Sequence, residues 1–77
     1  MNSELIEELS DNVKNSKDMF IAEINRLNYV VKLMNESPEI YTDSSLISAV
    51  RGVVKSHEDY INSKIVFTEK YFEEKLK

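Results

Sequence analysis

One proline and one glycine are all the backbone punctuation that this chain of 77 residues carries. A β-sandwich or barrel needs turn residues every 8–12 positions or so, and these two cannot supply them. Long uninterrupted elements follow, and the single proline marks where they break. Pro38 has no N–H to donate and pushes Ser37 out of the α region. Around it, ESPEIYTDSS (36–45) gathers turn-forming residues. The spacing therefore predicts a helix over about 4–35, a connection over 36–44 and a helix over about 44–75. Together they make one all-α helical-hairpin domain spanning 1–77.

In the first segment, Leu5, Leu9 and Val13 recur at helical spacing, followed by Phe20, Ile24, Leu27, Val31 and Met34. Steps of three and four keep them on one face. Ser3 is placed to cap the first turn, and Glu4, Glu7 and Glu8 suit the positive end of the helix dipole. The stretch SDNVKNSKD (10–18) has weaker helix propensity, which makes it the place for a kink. The apolar stripe nevertheless passes through it in phase, so one helix is expected.

Ser37 is placed to cap a short turn through Pro38, Glu39 and Ile40. Thr42 or Asp43 then caps the second helix, with Tyr41 and Leu46 spaced as a hydrophobic staple. The second stripe is Ile47, Val50, Val54, His57, Ile61, Ile65 and Phe72. Leu46, Val53, Tyr60, Phe67 and Tyr71 flank it. This band is wider than a two-stranded seam requires. The short connection makes the helices antiparallel neighbours. The acidic start (Glu4, Glu7, Glu8, Asp11) is then expected beside the basic end (Lys70, Lys75, Lys77).

The question of partners begins at NYVVKLM (28–34), which is apolar almost all the way round. Met19, Ala22, Arg26, Tyr29 and Leu33 form a second heptad-like seam on helix 1, with Val30 beside it. One neighbouring helix cannot cover both stripes. On helix 2 a strip of small residues, Ser45, Ser48, Ala49, Gly52, Ser56 and Ser63, is expected to face outward. There it would let another backbone come close. Gly52 costs about 1 kcal/mol relative to Ala inside a helix, which suggests that something lies over it. The expected interface is thus Met19, Ala22, Arg26, Tyr29, Val30, Leu33, Gly52 and Ser56. A second copy on that surface makes a dimeric four-helix bundle; a foreign helix is the other candidate. Small domains without disulfides often gain stability by self-association, and this chain has no cysteine.

Composition narrows function mainly by exclusion. The net charge is −4 and the pI about 4.9, which disfavours nucleic acid as a partner. Lys14 with Lys17, and Arg51 with Lys55, make only local basic patches. No apolar run approaches membrane-spanning length. MNSELIEELSD lacks the regions of a signal peptide, so a cytoplasmic location is expected.

No enzyme, metal or cofactor is expected. The adjacent pairs Glu58–Asp59 and Glu73–Glu74 diverge on a helix. The serines have no evident base, and one glycine cannot build a phosphate loop. His57, the only histidine, is expected on the core side near Glu23 and Arg26, as a structural residue. Zinc needs three or four convergent ligands. A Glu-x-x-His carboxylate site would need Glu where Val54 stands.

The function expected is that of a non-enzymatic interaction protein. It would be a small acidic regulator, inhibitor or adaptor, similar in composition alone to phage and mobile-element inhibitors, and it would dock on another protein. The alternative is an oligomer that binds a small anionic molecule such as a nucleotide. Arg26, Arg51, Lys55 and Tyr60 would then line a crevice between subunits.

Overall fold

A computed structural model of the chain describes residues 3–76. It contains two helices, α1 (Ser3–Glu36) and α2 (Asp43–Lys75), packed side by side as a hairpin about 60 × 14 × 11 Å. Lys77, expected at the basic end of α2, lies outside the described residues.

α1 runs without interruption through 10–18. Within that weak stretch Ser16 turns its hydroxyl back onto the helix, donating to the carbonyls of Asn12 (2.8 Å) and Val13 (3.0 Å). The bond satisfies the polar group without breaking the ladder. Ser3 is already helical rather than preceding the helix as its cap.

The break falls where Pro38 places it. The Ser37 N–H still donates to Leu33, 2.8 Å, ending α1. The Ser37 carbonyl then accepts from Ile40 and Tyr41, both at 3.1 Å, closing a turn through Pro38. Thr42 is the N-cap of α2, with extended backbone (φ −100°, ψ 179°). Its carbonyl accepts from Ser45 (3.0 Å) and Leu46 (3.3 Å), but its hydroxyl makes no capping bond. Asp43 in the first turn supplies the favourable charge instead.

The contact between the helices differs from the sequence expectation in one decisive way. α1 offers its large residues, among them Leu9, Val13, Phe20, Ile24 and Leu27, all half-buried. α2 meets them with its small strip and, alternating with it, Leu46, Val53, Tyr60 and Phe67, which are half-buried too. Ala49 is 0% exposed and Ser56 8%, the only buried side chains among the described residues, and Gly52 and Ser63 are half-buried beside them. Apart from Ser48, which is exposed, the strip expected to face outward therefore faces α1. The stripe expected to face α1 faces outward. Large residues on one helix nest over small ones on the other, so facing layers alternate in size and the backbones approach.

Polar groups on the strip are satisfied within α2. The Ser56 hydroxyl donates to the Gly52 carbonyl (2.8 Å) and shares a second contact with Val53 (3.1 Å). The Ser63 hydroxyl donates to Asp59, 2.9 Å. Phe20 of α1 closes the centre, its ring 5.0 Å from His57 and 6.0 Å from Tyr60.

Gly52 does lie under something, namely the Glu23 side chain of its own chain. A Cβ at Gly52 would meet the Glu23 carboxylate, with its Cδ at 3.1 Å and the Arg26 guanidinium at 3.5 Å. The obstacle is the end of a flexible side chain, not backbone. Gly52→Ala is therefore expected to swing Glu23 aside and stabilise the hairpin by up to about 1 kcal/mol, the helix-propensity gain. A urea titration would show a higher midpoint at unchanged slope; a lower midpoint would mean that the helices, and not the Glu23 side chain, had to move.

Candidate interaction surface

The turn of α2 leaves one row of its large apolar residues in water. Ile47, Val50, Val54, Ile61, Ile65 and Phe72 are all exposed, Val54 at 59% and Phe72 at 57%. At 3.6 residues per turn they fall within an arc of roughly 60°, about 130° from the residues touching α1. Ile21 (45%) and Val31 (42%) of α1 are exposed on the same flank of the hairpin. Along α2, residues Ile61, Ile65, Thr68 and Phe72 frame a shallow open depression of about 530 Å³ with Lys64 and Glu69 at its edge. Its aromatic end is held in place by ring contacts, Phe67 to Tyr71 at 5.9 Å and Tyr71 to Phe72 at 5.8 Å. Lys64 and Lys75 place their ammonium groups over the rings of Tyr60 (5.4 Å) and Tyr71 (5.5 Å).

The other flank of the hairpin is polar and creviced. One cleft of about 280 Å³ lies among Ser16, Met19, Glu23, Lys55 and Asp59. A second, about 410 Å³, lies among Arg26, Val30, Tyr41 and three serines, Ser44, Ser45 and Ser48. Ion pairs on the surface include Arg26–Glu23 (3.5 Å), Lys55–Asp59 (4.0 Å) and Lys70–Glu73 (3.5 Å). Each lies within one helix, so none of the three joins α1 to α2. At such exposure each contributes a few tenths of a kcal/mol.

The residues singled out from the sequence sort differently against this geometry. Met19, Ala22, Arg26 and Tyr29 are exposed on α1, Met19 at 62% and Tyr29 at 60%. Val30 and Leu33, expected in the same outer seam, are half-buried. Gly52 and Ser56 are covered by α1 of the same chain, because the small strip is the intrachain contact. His57 is exposed with its ring against Phe20, while Glu23 and Arg26 sit over Gly52 instead. Of the four residues considered for an anionic ligand, Arg26 and Lys55 line separate clefts, each beside a carboxylate. Tyr60 packs on Phe20, and Arg51 stands exposed on α2. Among the described residues no three His, Asp or Glu side chains converge as a metal site would need.

Sequence reasoning missed the α2 row as a surface. The signal was present in the width of the apolar band on α2, too broad for one neighbour. Among the described residues no helix is long and apolar enough to cross a membrane. Comparison with protein-family models, with curated proteins and with solved structures gave no match.

Proposed function

We propose that the chain is a non-enzymatic protein-interaction module, a small acidic regulator, inhibitor or adaptor. It works as an assembly of hairpins, two of them closing a four-helix bundle, and acts on another protein by occlusion or bridging. The observation that carries this reading is the outer face of α1. Met19 and Tyr29 stand in solvent there beside Arg26, on the flank away from the apolar row of α2. Exposed aromatic and Met side chains with a neighbouring Arg are the residue types enriched at protein interfaces. The acidic remainder of the surface favours a target with a basic face.

The test is affinity capture from the native host with the full chain, compared with Tyr29→Glu. A protein retained by the wild type and lost in the variant is the expected result, with at least a tenfold drop in affinity, since central aromatic anchors contribute 2 kcal/mol or more by truncation. Equal capture by both would remove α1 from the contact. No capture above a scrambled-sequence control would contradict the reading as a whole.

A further inference from the structure

We infer that a second copy of this chain covers the apolar row of α2, so that α2 packs on its counterpart and Ile21 and Val31 lie at the margin of the contact. The inference rests on the interaction-module reading above and assigns one of its two surfaces to self-association.

The exposed area is enough for a second copy. A folded monomer of 9.0 kDa is expected to expose about 4,900 Å². This hairpin exposes 5949 Å², a surplus of roughly 1,000 Å² over that scaling. Each partner in a specific complex of ordinary size gives up about 800 Å². One second hairpin therefore absorbs the surplus. The elongated hairpin carries this surplus along its whole length, and one flank of it is continuously apolar. Ile47, Val50, Val54, Ile61, Ile65 and Phe72 make one continuous row, while the hairpin has buried only Ala49 among its described apolar side chains. A domain this size with so little interior is marginal alone.

Charge agrees with a self-contact. At 3.6 residues per turn, Lys64 and Lys75 fall on the edge of the row nearer α1, and Glu58 and Glu69, with Arg51 among them, on the far edge. A rim that carries both signs lets two identical surfaces meet acid to base, whereas a single-sign rim would make them repel. The row itself carries no charged residue between Val50 and Val54 or between Ile61 and Ile65 on its own arc, so closing the contact strands no buried charge.

The test is solution mass by light scattering on the full chain. The wild type is expected at twice the chain mass at about 100 µM, with mass falling on dilution as linked assembly requires. Val54→Glu with Ile61→Glu is expected to raise the dissociation constant at least a hundredfold and give the single-chain mass, while Tyr29→Glu keeps the double mass. Because the double variant alone risks unfolding, single cysteines provide a second measurement in this cysteine-free chain. Ile61→Cys should be joined between copies by a short bismaleimide, and Met19→Cys, on the other flank, should not. A wild type that is folded and monomeric overturns the inference, as does a dimer that survives both glutamates or links through Met19→Cys. A monomer would also remove the four-helix bundle from the reading above, but none of these results bears on capture of a foreign protein through Tyr29, which is tested separately.

Discussion

Ala49→Glu is expected to abolish the cooperative thermal transition of the hairpin. Among the described residues Ala49 is the one apolar side chain that α1 covers completely. A carboxylate placed there is stripped of water, and the base nearest it, the Arg26 guanidinium over Gly52, is already paired with Glu23; burying such a charge costs several kcal/mol. A domain of this length has only about 4–11 kcal/mol of stability to lose. The control is Ala49→Leu, which adds volume without charge and should cost about 1–3 kcal/mol by overpacking. Far-UV circular dichroism against temperature reads both. If Ala49→Glu melted as the wild type does, the small strip of α2 would have to face water, and the account of the fold would be wrong.

The second large effect is at Phe20. Its ring spans the interhelical contact, against His57 at 5.0 Å and Tyr60 at 6.0 Å. A fully buried Phe→Ala change costs about 3–5 kcal/mol. Phe20 is half-buried, so Phe20→Ala should cost roughly 2–3 kcal/mol by the same cavity and transfer argument. Urea unfolding would show the midpoint falling at constant slope. Phe20→Leu should recover much of the loss, because it restores volume without the ring contacts. An effect below about 0.5 kcal/mol, the range of ordinary surface substitutions, would mean that the ring does not hold α1 to α2.

How far the fold was legible follows from what periodicity encodes. Pro38 placed the break, and α1 and α2 begin and end within a residue or so of the sequence expectation, because capping and proline rules are local. The weak stretch around Ser16 stays helical because its hydroxyl is satisfied by the turn before it. Facing was not legible. Helical spacing shows which residues share a face of α2, but not which of two faces meets α1. Both candidates were regular. Hydrophobicity alone favours Ile47, Val50 and Val54 for the contact, and shape favours Ala49, Gly52 and Ser56. The face that meets α1 combines both, since its small residues alternate with half-buried Leu46, Val53, Tyr60 and Phe67 and leave room for bulky Phe20 and Leu27 of α1.

The candidate surface was legible in part for the same reason. Tyr29 and Met19 read correctly as residues that their own hairpin leaves uncovered. The helical cost of Gly52 correctly signalled an overlying group, and only the structure identifies it as Glu23 of the same chain. The position of His57 followed the facing of α2 and moved outward with it. Nothing in residue spacing distinguishes an interhelical contact inside one chain from one between two, since the physics of packing is the same in both.

The turn of α2 about its own axis is therefore the central claim, and intrachain proton contacts measure it most directly. In a sample mixing labelled with unlabelled chains, isotope filtering separates contacts within a chain from those between chains. Intrachain cross-peaks are expected from the Ala49 methyl to α1 and from the Gly52 α-protons to the Glu23 side chain, with the Val54 and Ile61 methyls showing none to α1. Intrachain peaks from Val54 and Ile61 to Phe20 or Leu27, with Ala49 silent, would contradict it.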